Sequence, residues 1–483
     1  MIRVRKNVNE LTDDTLLWYS KAVESMKKKD ITDPSSWWYQ AAIHGYGLDE
    51  QPNLANNESW SELSVWEQAQ GFPPPQRLVD SQFWQQCQHG TWFFLPWHRM
   101  YLQYFEAIVA KTVVELGGPK NWTLPYWNYC DANNPALNEI EQLQALKLPS
   151  EFGTNVPNPE FPGLWMKERA QYHLSSKFDA SCSVAMKLEN FTTSIPAKSF
   201  GGVQTGFSHD SGTFGAVENQ PHNLVHVDIG GAMGDPNTAG LDPIFWLHHA
   251  NIDRLWQCWI DQGRENTNDI TWLNQVFDFH NADSLPATFS VKDVLSTEAL
   301  GFTYSDSYPS LAAPTDSTVF AVASAGGSGM FDTIAATTNP FPLGSQSTSA
   351  QLEFLPEKQR TAQVSALGAS NSPTPNQVII VLDNITGSGV VAPVSVFVKT
   401  SANSGRVLVG KIGLFGLTQS STPSVRHART GISVELDATE ALQELRSQAS
   451  WNLENLQIEL EPARKLGNAS VTVGRVSIKA EVV

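Results

Sequence analysis

Histidines are the residues of this chain best suited to chemistry. The chain has eleven, and eight of them lie between His89 and His249. The stretch PHNLVH sets His222 and His226 four residues apart, which on a helix places both imidazoles on one face, near enough to share a metal ion. Downstream, DPIFWLHHANIDRLW supplies His249 and its neighbour His248. Adjacent helical residues diverge by about 100°, so we expect only one of this pair to join the same metal.

A second group of histidines lies in the stretch CQHGTWFFLPWHRMYLQYFE, residues 87–106. His89 and His98 stand here among seven aromatic side chains, and Pro96 can start a helix that carries His98 on its first turn. A third ligand must come from elsewhere, and His44, in AAIHGYG, is the nearest upstream candidate. Taken alone, His44 would more often be a hydrogen-bonded core residue than a ligand.

The surroundings of these histidines favour copper over zinc. HNLVH lacks the glutamate that follows the first histidine in zinc proteases, and the carboxylate-plus-histidine pattern of di-iron bundles is missing. One H-x-x-x-H pair is as often chance as a site, but two histidine clusters are hard to explain as core filling. Sites made only of imidazole suit copper, which has the highest affinity for nitrogen ligands. The residues alone therefore indicate a paired three-histidine metal site.

Both stretches resemble the copper-binding signatures of the type-3 copper proteins, which include tyrosinases, catechol oxidases and molluscan haemocyanins. The second signature, Asp-Pro-x-Phe-x-x-His-His-x-x-x-Asp-Arg, is specific, and the resemblance covers about residues 35–300. PYWNY (125–129), DVLSTEALGFTY (293–304) and the C-terminal part are similar to bacterial tyrosinases that retain a C-terminal domain. The resemblance implies two copper ions with three histidine ligands each: His44, His89 and His98 for copper A, and His222, His226 and His249 for copper B.

The resemblance also implies a role for Cys87, two residues before His89. This spacing is similar to the C-x-H arrangement of fungal tyrosinases and molluscan haemocyanins, in which the sulfur is bonded covalently to a carbon of the imidazole. Such a thioether would lock the ring and remove a thiol that copper and peroxide would otherwise oxidise. The alternative is a buried cysteine that packs as a small apolar residue.

A protein of this family with one such unit is expected to be an enzyme that uses O₂ to hydroxylate monophenols and to oxidise o-diphenols to o-quinones. Catechol oxidase or o-aminophenol oxidase activity is the alternative, and an oxygen carrier is less favoured because carriers in this family are chains of many units. The partners implied are O₂ and phenols or catechols, and a copper-delivery protein is a further partner that this cofactor allows.

Five further residues are assigned roles by the resemblance. Glu218 and Asn223 stand where members that hydroxylate monophenols hold a water between a carboxylate and an amide; the alternative is that Glu218 caps the helix beginning near Pro221. At the substrate entrance we expect Val227 and Pro236, neither of which is bulky or charged. Phe415, in GKIGLFGLT, is a candidate for a side chain that covers the copper site, or else part of a β core.

The elements that must position these residues are predominantly helical. Up to about residue 304 the pattern predicts a mainly α domain, and the resemblance implies that this is the catalytic domain, with a four-helix bundle holding the dicopper site. Residues 305–375 are poor in charge and rich in Ala, Ser, Thr, Gly and Pro, which is typical of a linker or long loops. From residue 376 to 483, short β-branched runs predict an all-β, sandwich-like domain, which could cover the active site.

Composition excludes several other classes of function. The net charge of −17 argues against nucleic acid and anionic membranes as partners. The sequence has no apolar run of eighteen residues, so it predicts no membrane span. The N-terminal MIRVRKNVNELT lacks the apolar stretch of a signal peptide. The four cysteines are not spaced like a disulfide framework, which favours a reducing, cytoplasmic location.

Overall fold

The computed structural model describes residues 2–46, 69–84, 86–207, 213–306, 331–354, 377–400, 405–422, 431–448 and 451–481. Up to residue 306 the described chain is mainly helical. Its α-helices are α1 Thr15–Lys27, α2 Trp37–His44, α3 Gln76–Val79, α4 Phe94–Glu115, α5 Glu139–Ala145, α6 Ser183–Met186, α7 Leu224–Ile229, α8 Pro236–Ala239, α9 Pro243–Asp261 and α10 Ile270–Leu273. Two further helices, α11 Leu417–Ser421 and α12 Thr439–Arg446, lie in the C-terminal region.

The strands lie mostly after residue 330. The first four belong to two small sheets of the helical region: β1 Arg3–Arg5, β2 Val276–His280, β3 Pro286–Ser290 and β4 Phe302–Tyr304. The others are β5 Phe331–Ala336, β6 Phe341–Pro342, β7 Thr348–Gln351, β8 Glu353–Phe354, β9 Val378–Ser388, β10 Val394–Lys399, β11 Val407–Ile412, β12 Ile432–Asp437, β13 Gln457–Pro462 and β14 Ser470–Glu481.

Helices α4 and α9 pack against each other at the centre of the helical region and carry the most conspicuous motifs. Both are buried on nearly all sides, as expected of helices that are apolar around most of their circumference. Helix α9 has a typical helix start: the Asp242 carboxylate accepts a hydrogen bond from the Ile244 amide, and Pro243 occupies the first turn. Helix α4 begins at Phe94, two residues before Pro96.

A buried ion pair fixes the relative position of these two helices. Arg99 Nε of α4 lies 2.5 Å from Asp253 Oδ1 of α9, and both side chains are almost completely buried. Arg5, from β1, also reaches Asp253, at 3.4 Å. Burying such charges is costly unless they are paired and hydrogen-bonded, so removing one partner would strongly destabilise the contact. Because Arg99 follows His98 directly, this pair helps to position the histidines that the two helices carry.

The C-terminal region is a pair of sheets around one apolar core, which confirms the predicted β fold. One sheet has the order β11-β10-β13-β7, and the other runs β12-β9-β14-β5-β8, with β6 added beside β14. Side chains alternate between core and surface along strands such as β10, where Val394, Val396 and Val398 are buried. These valines join a hydrophobic cluster separate from that of the helical region.

The β region begins earlier than its composition indicates. Strands β5 to β8 occupy residues 331–354, inside the segment 305–375 that we predicted to be linker, and β5 pairs with β14 while β7 pairs with β13. These strands were missed because they are short or bury few side chains, so that their Ala, Ser and Thr content resembles a loop. The rest of that segment after residue 306, namely 307–330 and 355–375, lies outside the described residues.

Cys130 and Cys182 form a disulfide, which the sequence analysis did not predict. They are 52 residues apart, and nothing in their local spacing indicates that the fold brings them together. The spacing of the four cysteines therefore did not exclude a disulfide, and the expected cytoplasmic location stays a prediction. Among the described residues, no helix is both long and apolar enough to cross a membrane.

The two regions pack closely against each other. Phe214, from the helical region, lies in the apolar core of the β region, beside a backbone bridge between Thr213 and Ser433. In the opposite direction, Phe415 lies in the core of the helical region. Each region therefore contributes an aromatic side chain to the interior of the other.

Candidate metal centre

Seven histidines and one cysteine converge at one place in the helical region. Their ligand atoms form three overlapping groups, and within each group all the atoms lie within 4.8 Å of one another. The groups are His222, His226, His248 and His249; His44, Cys87 and His89; and His44, His98 and His249. Because His44 and His249 each belong to two groups, the two clusters predicted from sequence form one continuous site.

Four helices and two connecting segments supply these side chains. His44 is the last residue of α2, His98 lies in the first turns of α4, and His226 lies in α7. His222 precedes α7 in an irregular helical turn, Glu218–Asn223, so PHNLVH is not one regular helix. The centroids of the His222 and His226 rings are nevertheless 4.5 Å apart, so the two rings lie side by side as the four-residue spacing predicts.

Backbone carbonyls orient three of the imidazoles. In each case the imidazole donates from Nδ1, because a carbonyl can only accept. His44 donates to Pro236 O at 2.7 Å, His98 to Phe94 O at 2.8 Å and His226 to Met233 O at 2.7 Å. This hydrogen bond fixes the tautomer and leaves the Nε2 lone pair for a metal, which is how protein metal sites commonly orient their histidines.

The imidazoles are held in the neutral form that binds metal. Burial lowers the pKa of His44 to about 4, although its hydrogen bond to Pro236 opposes the change. Burial also lowers the pKa of His98, His222, His226 and His249 well below the usual histidine range, and neighbouring histidines add to the effect. A charged imidazole cannot bind a cation, so this environment favours metal binding at neutral pH.

The orphaned nitrogens of the site fit copper. The Nε2 atoms of His44, His98 and His222 are buried and have no hydrogen-bond partner among the described residues. His226 Nε2 lies 3.2 Å from His249 Nε2. Since His226 Nδ1 already donates to a carbonyl, its Nε2 lone pair points into this space. Several neutral imidazoles directed at a common, dry volume are a donor set that suits a pair of copper ions.

His248 and His249 differ in their contacts. His249 stacks on His98 with ring centroids 4.4 Å apart, and its Nε2 lies 3.2 Å from that of His226, so it contacts a predicted ligand of each copper. His248 Nδ1 lies 3.1 Å from the hydroxyl of Tyr129 in the PYWNY stretch. Tyr129 is a neighbour of the site that the sequence analysis did not identify, since nothing in the motif indicates its partner.

Cys87 lies against the imidazole of His89. Its Sγ atom is 3.3 Å from His89 Nδ1, and burial raises the pKa of the thiol well above its ordinary value. The sulfur is therefore in non-bonded contact with the ring of His89, and the covalent bond implied by the C-x-H resemblance stays a prediction.

Glu218 and Asn223 are both buried beside the histidines. Glu218 Oε1 accepts a hydrogen bond of 2.8 Å from the Gly90 amide, and Asn223 Oδ1 lies 2.9 Å from His222 Nδ1. Their other polar atoms, Glu218 Oε2 and Asn223 Nδ2, have no partner among the described residues. Burial raises the pKa of Glu218 well above its ordinary value, and the Gly90 amide partly offsets this. Glu218 therefore ties the segment carrying His89 to the one carrying His222.

Phe415 covers the histidines from the C-terminal region. Its ring is stacked on His226, with centroids 4.1 Å apart, and meets the ring of His89 edge-on at 5.2 Å. Phe415 therefore lies among the buried residues of the helical region and not in the β core, and its role as a cover stays a prediction. The turn that presents it needs Gly416, which has a left-handed φ of 79°.

The two residues expected at the substrate entrance are buried in this structure. Val227 is fully buried, and its carbonyl accepts a hydrogen bond from Arg464 of the C-terminal region. Pro236 begins α8, holds His44 through its carbonyl, and lies next to Gly416. Neither residue can line an open entrance while the segment carrying Phe415 lies over the site.

Comparison with known proteins identifies the family. Residues 34–262 match the common central domain of tyrosinase, and residues 266–314 match the polyphenol oxidase middle domain. Tyrosinase HcTyr1 from Hahella sp. (strain CCB-MM4) is 44% identical over 488 residues, covering 100% of both chains. The chain belongs to the tyrosinase family. It is therefore a copper-dependent polyphenol oxidase, and the histidine clusters are its type-3 dicopper site.

More distant relatives extend this comparison. A chloroplastic polyphenol oxidase from Malus domestica is 29% identical over 303 residues, which are 60% of this chain and 46% of the relative. The latent apple tyrosinase has the same fold, with a TM-score of 0.58 at 22% identity, covering 100% of this chain and 98% of that one. A latent aurone synthase has a TM-score of 0.60 at 19% identity, covering 100% of this chain and 90% of that one. Residues 330–481 match a domain family of unknown function.

Proposed function

We propose that this polyphenol oxidase hydroxylates monophenols as well as oxidising o-diphenols to o-quinones, and is thus a tyrosinase in the strict sense. The observation that carries this proposal is that Glu218 Oε2 and Asn223 Nδ2 are both buried and have no hydrogen-bond partner among the described residues, while Asn223 Oδ1 contacts His222. Hydroxylation needs a base near copper B, because a phenol whose pKa is about 10 must lose its proton before it binds.

The proposed metal ligands are those given by the signatures. His44, His89 and His98 would hold copper A, and His222, His226 and His249 would hold copper B. When bound, the two coppers supply the capacity to bind and activate O₂ and to accept electrons from the phenol. The converging Nε2 atoms and the carbonyls behind three of the rings support this set.

Glu218 and Asn223 would act through one water molecule. A carboxylate oxygen can accept a proton from that water, and an amide N–H₂ group can donate to its oxygen, so the water is oriented with a lone pair toward the phenol hydroxyl. The phenolic proton would pass to this water and on to Glu218. An unpaired buried polar atom costs about 1–3 kcal/mol, so a water that satisfies both side chains would also stabilise the site.

Aromatic side chains would keep the reaction dry. The ring of Phe94 lies 4.7 Å from that of His222, and the ring of Phe245 lies 4.3 Å from that of His249. Apolar walls exclude bulk water, which strengthens the electrostatic interactions inside and protects reactive intermediates. The same walls suit the flat ring of a phenol. We therefore propose phenols and catechols as substrates, together with O₂.

The test compares two activities of the same variants. Asn223→Ala and Glu218→Gln should reduce hydroxylation of tyramine by roughly 100-fold, the lower range for loss of a general base. Oxidation of the matching catechol should fall much less, and each variant should still bind two coppers. A parallel fall of both activities would reduce the pair to a structural role. A fully copper-loaded wild-type protein that oxidises catechols but not tyramine would establish the catechol oxidase alternative.

A further inference from the structure

One short loop holds a predicted ligand of each copper. Residues 228–236, DIGGAMGDP, connect α7 to α8, and two of their backbone carbonyls accept hydrogen bonds from ligand histidines. Met233 O orients His226, and Pro236 O orients His44, both at 2.7 Å from Nδ1. A shift of this loop would therefore turn one imidazole at each metal position.

Arg464 of the C-terminal region contacts Asp228, the first residue of this loop. Arg464 Nη1 lies 2.9 Å from Asp228 Oδ1, and Nη2 donates to Asp228 O at 2.8 Å and to Val227 O at 3.2 Å. The Asp228 carboxylate is completely buried and also accepts from Ser175. A guanidinium at the last carbonyls of α7 offsets both the helix dipole and the buried charge. The grip thus acts two residues after His226.

A second contact grips the other end of the loop. Gln419 of α11 donates from Nε2 to Asp235 Oδ1 at 2.8 Å, and Asp235 caps α8, whose first residue is Pro236. Between the two ends, Gly234 lies so close to Val390 of the C-terminal region that a Cβ atom at Gly234 would stand 2.3 Å from Val390 Cγ1. The loop is therefore held along its length by residues of the C-terminal region.

We propose that the C-terminal β region acts as a brace for copper retention, with Arg464 and Gln419 as positioning residues. Arg464 fixes the loop end that orients His226, and Gln419 fixes the end that orients His44. This role is separate from that of Phe415, which covers the site but holds neither carbonyl. The proposal rests on the proposed ligands His44 and His226.

Copper loss during dialysis of the loaded, full-length protein against a chelator tests the brace. Arg464→Met should speed the loss of one of the two coppers by about tenfold, the lower range for changes behind a metal ligand. Arg464→Lys keeps the charge but not the forked contacts, so its rate of copper loss should lie between those of Arg464→Met and wild type. Gln419→Leu should speed the loss of the other copper, so the double variant should lose both quickly.

Two controls separate the brace from its alternatives. Phe415→Ala opens the site and removes the ring stacked on His226, but leaves the contacts of Arg464 and Gln419 in place. Arg464→Met should lose copper faster than Phe415→Ala; if it does not, loss of the cover is enough to explain the copper loss and the brace is wrong. Arg406→Met removes an arginine that pairs with Glu459 and Glu461 within the β region, and it should behave as wild type.

The ligand assignment is checked independently with His226→Ala. If His226→Ala still holds two coppers, the proposed ligands are wrong, whatever Arg464→Met does. If His226→Ala loses one copper but Arg464→Met and Gln419→Leu retain both at the wild-type rate, the brace is wrong and the ligands stand. Should Arg464→Met fail to fold, Arg464→Lys and Gln419→Leu provide the same comparison.

Discussion

The ring of Phe415 lies nearly parallel to the imidazole of His226, with ring centroids 4.1 Å apart and an angle of 19° between the planes. Phe415 belongs to the β region, whereas His226 belongs to α7 of the helical region. The contact covers one face of the His226 ring. We therefore expect the C-terminal region to restrict access to the site.

Replacing this side chain should open the site. We expect Phe415→Ala to raise kcat/KM several-fold for phenols, and more for bulky phenols than for small ones, because the space released is that of one ring. Phe397→Ala makes the same change in β10, where the ring packs under Arg406 instead of a histidine, and should leave the kinetics unchanged. Equal kinetics for Phe415→Ala and wild type would mean that this ring does not limit access.

Cutting the chain before the β region should act in the same direction. A protease site placed within residues 307–330 lies ahead of β5, the first strand of that region, and therefore leaves both sheets intact. After the cut and removal of the C-terminal fragment, turnover of bulky phenols per bound pair of coppers should rise; copper content is measured in parallel, because the fragment also carries Arg464 and Gln419. Unchanged turnover after complete removal of that fragment would rule out a covering role for it.

The two adjacent histidines should differ in metal content. His249→Ala should bind only one copper, because His249 lies against both His226 and His98. His248→Ala should still bind two, since His248 is held by Tyr129 and is the neighbour that we place behind the ligands. Metal analysis of the two purified variants checks this prediction, and the opposite result would reverse the assignment within the pair.

Cys87 should be bonded to His89 in the copper-loaded protein. The peptide that contains both should be lighter by two hydrogens, and Cys87 should resist alkylation after denaturation and reduction. Cys130 and Cys182 should become reactive only when the disulfide is reduced, which provides an internal control in the same experiment. Alkylation of Cys87 in protein that was fully loaded with copper would refute the thioether.

The disulfide should stabilise the helical region. For a closed loop of 52 residues, chain entropy predicts about 4 kcal/mol at most, and strain commonly reduces the observed value. The double variant Cys130→Ser/Cys182→Ser should therefore lower the free energy of unfolding by about 2–4 kcal/mol, measured by denaturant titration. Wild type titrated with reductant is the matched comparison. If reduction leaves the midpoint unchanged, this bond does not limit unfolding.

Residue types and their spacing were enough to predict a histidine metal site. The spacing of His222 and His226 and the motif around His249 identify a paired histidine metal site, because ligand type and helical periodicity are local properties. The start of α9 at Asp242 and Pro243 was likewise predictable, since capping depends on neighbouring residues. Short β-branched runs, such as the one that forms β10, predicted the β region for the same reason.

The distant residues that support that site could be identified from the tertiary structure alone. Cys130 meets Cys182, Tyr129 meets His248 and Arg464 meets Asp228 across 52, 119 and 236 residues respectively. Such pairings follow from how helices and sheets pack, and no local periodicity encodes them. The position of Phe415 was undecided for the same reason: the turn around Gly416 can be expected from sequence, but the core that receives the ring depends on how the two regions dock.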